Sequence, residues 1–156
     1  MKVDAPEVII NQRIGGNEQS IVSASDYTNN NKKFGRNDEY FYDLKINQLP
    51  KAGEVYPVNT LGTIRINADI ITAGSQSYGS AVIIGDNGTN DFTRSLISLD
   101  PSITFASTVD DAVEGRHTLI SKAISNSLPS AGDPKPFVDY QDIVGGAKKL
   151  LSVETL

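Results

Sequence analysis

Between Thr63 and Ile70 the side chains alternate without exception: Ile64, Ile66, Ala68 and Ile70 are apolar, while Thr63, Arg65, Asn67 and Asp69 are polar. A period of two is the mark of a strand with one buried face, and an α-helix cannot present it. Other short β-branched runs flank this segment. Residues 7–14 read as a strand stopped by Gly15-Gly16-Asn17, and Gln19 to Ala24 as its return in an N-terminal hairpin over 7–24. Tyr40 to Leu49 reads as a strand ending at Pro50, Thr60 to Thr72 as the cleanest strand, and Ala81 to Ile84 as a short one stopped by Asp86-Asn87-Gly88. Phe92 to Ser107 holds two more runs joined at Asp100-Pro101, and Gly74 to Gly79 reads as a flexible turn. The chain holds 12 Asn, 15 Ser, 10 Thr and 13 Gly, residues whose side chains or backbone freedom favour polar turns over helix.

After Ser107 the spacing changes. Val109, Ala112, Val113, Ile120, Ala123, Ile124 and Leu128 fall three and four apart, which predicts a helix over 108–128. Ser107 or Thr108 would cap it, and Asp110, Asp111 and Glu114 would favour its dipole. A second helix is predicted over 140–151, with Ile143, Val144, Ala147, Leu150 and Leu151 on its apolar side. Strands first and helices last give an α+β fold: a single domain over 1–156 with the hairpin, an antiparallel sheet over 39–107 and two C-terminal helices. No repeat with a period of 20–50 residues is visible.

Composition narrows the function. With no Cys, thiolate zinc sites and thiol nucleophiles are excluded, and a His-based active site would rest on His117 alone. Glu114, His117 and Ser121 share one face of the predicted helix, an arrangement better explained as a polar face than as a catalytic triad. Asp110-Asp111 and Asp133, Asp139 and Asp142 lack calcium-loop spacing. The expectation is a protein that is not an enzyme, with no cofactor, no metal and no small-molecule substrate. No apolar run approaches the roughly 18 residues of a membrane span, and Lys2 to Pro6 does not begin a signal peptide, so cytoplasmic synthesis without a membrane partner is expected.

Net charge is −5, but it is unevenly spread. Residues 30–65 carry six cations against four anions, whereas residues 66–156 carry six against eleven. Strand alternation puts Lys45 and Asn47, Arg65 and Asn67, and Thr104 on polar faces opposite apolar ones. Cations of this kind reach phosphates, and amides and hydroxyls contact bases or the 2′-OH, so these five residues are expected to form an RNA-contacting sheet face.

The layout resembles the coat proteins of small single-stranded RNA bacteriophages, the levivirus-like group. The local likeness is strongest at Asp100-Pro101-Ser102-Ile103-Thr104-Phe105-Ala106-Ser107-Thr108, similar to that family's last strand entering its first helix. The resemblance implies an interlocked dimer that assembles into an icosahedral virion shell and holds genomic RNA on its inner sheet face. Val113, Ile120 and Ile124 would then be the helix stripe buried against the partner. The alternative is a head-decoration or tail-tube structural protein of a double-stranded DNA phage, for which nucleic-acid contact is not needed.

Overall fold

The computed structural model describes residues 1–15, 43–48, 62–99, 102–124 and 135–156. Within them lie thirteen strands: β1 Lys2–Val3, β2 Glu7–Ile10, β3 Leu44–Ile46, β4 Thr63–Ile66, β5 Ile70–Thr72, β6 Gln76–Tyr78, β7 Val82–Ile84, β8 Thr93–Ser98, β9 Ser102–Phe105, β10 Val109–Asp111, β11 Thr118–Ala123, β12 Phe137–Tyr140 and β13 Ser152–Thr155. They form three sheets, ordered β1-β3-β6-β9-β12 (sheet A), β2-β4-β7-β10 (sheet B) and β5-β8-β11-β13 (sheet C). Strand pairing is parallel throughout these sheets. The chain visits A, then B, then C, and repeats. Isolated bridges complete the circuit at both ends, Ile14 to Ile70 in sheet C and Val144 to Val109 in sheet B. The result is a three-sided parallel β-solenoid, each rung stacked on the one before.

Two ladders of like residues run through the interior. Sheet B stacks Val8, Ile64, Val82, Val109 and Val144. Sheet A stacks Val3, Ile46, Tyr78, Phe105 and Tyr140. The Phe105 ring lies between its neighbours, with centroids 5.1 Å from Tyr78 and 4.8 Å from Tyr140. Each buried Ile, Leu or Phe contributes about 1.5–3 kcal/mol, so the filled interior is the main source of stability. Polar residues enter it as well, Gln76, Asp111 and Ser121 among them. Gln76 is fully buried, donates to the carbonyls of Ile70 and Ile97, and accepts from the Tyr78 hydroxyl. Those bonds tie sheet A to sheet C and satisfy an amide that would otherwise be costly to bury. On the outer side of sheet C, Ile71, Ile97 and Leu99 form a second buried cluster with Ile124 against it.

This architecture corrects the α+β expectation. The described residues contain no helix, and the sheets are parallel, not antiparallel. Residues 108–124 of the first expected helix form β10, a turn and β11, while 125–128 lie outside the described residues. Val109 and Asp111 point inward, as do Leu119, Ser121 and Ala123, so their spacing of two within each strand was masked by the turn between them. Gly115 in that turn takes φ +71°, a conformation no helix contains. The second expected helix, 140–151, contains the end of β12, the Val144 bridge and an open segment in which Gly145 takes φ +70°. The strand expected over 7–14 divides too, β2 pairing with β4 in parallel and Ile14 bridging Ile70, while 16–24 of the expected hairpin lie outside the described residues. The flexible turn expected at 74–79 is instead β6, whose Gln76 and Tyr78 are buried.

Corners, not turns of a meander, break the runs. The strand expected over 60–72 divides into β4 and β5 at Asn67-Ala68-Asp69, placing its two halves in different sheets. At the corner after β3, Asn47 takes φ +49°, accepts from the Ala5 amide at 2.8 Å and donates to Ser80 Oγ at 3.1 Å. One side chain thus joins three rungs. Gly79 holds the equivalent place after β6, and a Cβ there would overlap the Asn47 carbonyl. Gly79→Ala is therefore expected to destabilise the fold by about 1–3 kcal/mol, read by urea unfolding. An unchanged midpoint would show that the two rungs separate at this corner at no cost.

Candidate functional site

Three surfaces or clusters concentrate chemistry. The first is at the corner between sheets B and C. His117 is fully buried, with Nδ1 2.5 Å from Asp111 Oδ1 and Nε2 3.2 Å from Asp86 Oδ2. Asp111 also accepts from the backbone amides of Val113, Arg116 and His117. Arg116 lies 3.5 Å from Asp86 and stacks on Phe92, its guanidinium carbon 4.2 Å from the ring centroid. Burial pushes the Asp111 carboxyl up, but the His117 amide and ring and the Val113 and Arg116 amides outweigh it and hold the group below the ordinary carboxylate range. Asp86 is also held low, first by the Gly88 amide and then by His117 and Arg116.

This cluster differs from the sequence-level picture of His117. Its carboxylate partners are Asp111 and Asp86, not Glu114, which is exposed. Ser121 is buried and shares a hydrogen bond with the Tyr140 hydroxyl at 2.9 Å, away from the His117 ring's carboxylate partners. No periodic cue marked Asp111, because it occupies an inward place in register with Ile84. The cluster is a clasp: Leu151 donates to the His117 carbonyl, Gly115 to Lys149 and Asp111 to Lys148, so it holds the segment leading to β13. Among the described residues no group of three or more His, Asp and Glu is placed to hold a metal ion.

The second is a groove of about 200 Å³ on the outer side of sheet B, lined by Arg65, Ile83, Asp110, Ala112 and Lys148 among others. Asp110 accepts from the Ala147 and Lys148 amides, and Lys148 Nζ donates to the Ala112 carbonyl at 2.9 Å. These charges brace the wall of the groove.

The five residues expected to face RNA do not share a surface. Lys45 and Thr104 occupy one outward ladder of sheet A, and Arg65 faces outward from sheet B. Asn47 and Asn67 are buried at corners, Asn47 joining rungs and Asn67 donating to Asn11 Oδ1 at 2.7 Å. A strand that turns a corner carries residues two apart onto different sheets, which period-two reasoning cannot show. The three expected dimer-interface residues are likewise apart. Val113 is exposed in the turn, Ile120 is half-buried on the outer side of β11, and Ile124 packs on the Ile71 cluster.

The third surface is the end of the solenoid formed by β12, the Val144 bridge and β13. Phe137, Ile143, Leu151, Val153 and Leu156 are all exposed there, by 40–66%. They are five of the eight exposed large apolar side chains among the described residues. Core residues of the same rung, Val138, Tyr140, Val144 and Leu150, are only partly buried. β12 and β13 are the outer strands of sheets A and C. Among the described residues no strand pairs with the outer edge of β12 or β13, and exposed apolar side chains beside open strand edges are a common feature of docking surfaces. Comparison with known protein families, curated proteins and solved structures finds no match.

Proposed function

We propose that this chain is a structural subunit that works by associating with copies of itself, and not an enzyme. The observation that carries the reading is the apolar end rung at β12, Val144 and β13, where the exposed Phe, Ile, Leu and Val side chains collect. The assembly we propose is a virus particle, in keeping with the sequence-level expectation of a virion protein made in the host cytoplasm. Of the two virion roles, we favour the head-decoration or tail-tube one, which needs no nucleic-acid contact. Lys45, Arg65 and Thr104 spread over two sheets give no single RNA-binding face, so RNA contact is not part of the proposal. The buried state of His117 and the full engagement of its ring favour a structural role for the one cluster with catalytic residue types.

The test is the mass of the purified chain by sedimentation over a wide concentration range, with electron microscopy and a nuclease-protection assay on the assembled fraction. Concentration-dependent assembly with no protected RNA is expected. A monomer at every concentration would overturn the proposal, and shells filled with protected RNA would restore the coat-protein role.

A further inference from the structure

The stacking register decides how two copies would meet. Every sheet that ends at the last rung also begins at the first, so both ends present the same three-sided cross-section. On the outer side of sheet A the ladder runs Lys2, Lys45, Ser77, Thr104 and Asp139. On the outer side of sheet C, Arg13 lies on Asp69 in a 3.1 Å ion pair, Asp69 bonds the Ser95 amide, and Ser95, Ile120 and Glu154 follow in register. One more rung laid on β12 and β13 in the same register, taken from the first rung of a second copy, places Lys2 over Asp139 and Arg13 over Glu154. It also places Val8 over Val144, continuing the interior Val/Ile ladder of sheet B.

We infer that the chain stacks head to tail, the first rung of one copy on the last rung of the next. The inference rests on the structural reading above and names its geometry. Two opposite-charge pairs and two apolar pairs, Val8 over Val144 and Val3 over Tyr140, fall into place without any change of register. Lys2 and Arg13 keep their own-chain partners Asp4 and Asp69 and remain about half exposed, so each has room for a second carboxylate. A two-fold pairing of last rungs is disfavoured on charge. It would run the edges antiparallel, and where the two-fold axis passes at Asp139 or Glu154 it would set that carboxylate against its own copy. A head-to-tail contact of this kind does not close on itself, so it generates a filament.

Charge reversal tests this. The tail variant carries Asp139→Lys and Glu154→Lys, and the head variant carries Lys2→Glu and Arg13→Glu. Circular dichroism checks that each folds. If loss of the Arg13–Asp69 pair unfolds the head variant, Lys2→Glu and Asp139→Lys replace the two doubles. Wild type is expected to form filaments by electron microscopy. Each variant alone is expected to associate roughly a hundredfold more weakly, because like charges are then juxtaposed. An equimolar mixture is expected to regain filaments, since every junction between unlike variants pairs opposite charges again. Filaments from either variant alone, an inert mixture or a closed wild-type dimer would overturn the inference. In the first and third cases self-association still stands, so the structural reading survives. A wild type that never associates removes both.

Discussion

Phe105→Ala is expected to lower the unfolding free energy by about 3–5 kcal/mol, the range for truncating a fully buried aromatic side chain. Phe105 sits in the middle of the sheet A stack, between Tyr78 and Tyr140, so its loss opens a cavity that rings on both sides border. The neighbouring rungs are hydrogen-bonded at Tyr78 and Tyr140 in register, which limits how far they can collapse into it. In a solenoid each rung is supported by its neighbours alone, so a weak central rung undermines both halves. Urea unfolding followed by circular dichroism gives the number. A loss below about 1 kcal/mol would mean that the aromatic stack is not packed as described.

Asp111→Ala is expected to be comparably severe, about 3–5 kcal/mol, because it removes one partner of a buried charged network and leaves the other in place. Three backbone amides and the His117 ring lose their acceptor together. The damage extends to the last rung, since the same corner holds Lys148, Lys149 and Leu151. The network also sets a pH dependence. Asp111 and Asp86 titrate below their ordinary range in the folded chain. Their contribution is therefore complete above the unfolded carboxylate value of about 4 and is lost as pH falls through the depressed folded values. Unfolding curves taken between neutral pH and acid should show that loss for wild type and a smaller one for Asp111→Asn. Identical acid sensitivity in the two would exclude Asp111 as a source of it.

Much of the local pattern was legible. The strand segments β4, β7, β8 and β9 fall within runs read from β-branched content, and exposed Asn87-Gly88-Thr89 falls in the turn marked by Asp86-Asn87-Gly88. The helices were misread because rungs of three to six residues separated by corners produce apolar spacings of three and four between different strands. Gly115 and Gly145, both at positive φ, were the local signals against those helices. The rung repeat escaped notice for a related reason. Ile64 pairs with Val82, Val82 with Val109 and Val109 with Val144, intervals that follow no fixed period because the corner segments differ in length.

The candidate site shows the same division. His117 and the acids around it could be named from the chain, but only stacking brings Asp86, Asp111 and His117 to one corner, from the ends of β7 and β10 and the start of β11. The amino-acid sequence by itself determined a β-rich chain with Ile and Val on one side of short strands, polar turn residues between them and no cysteine chemistry. Whether those strands pair with the next in sequence or with the equivalent strand one rung away was decided only in three dimensions. Alternation fixes which side of a strand is apolar, but the partner is chosen by what fills the interior. Here the aromatic ladder of sheet A and the Val/Ile ladder of sheet B stack like on like through parallel pairing, closing a core that no single rung could bury alone.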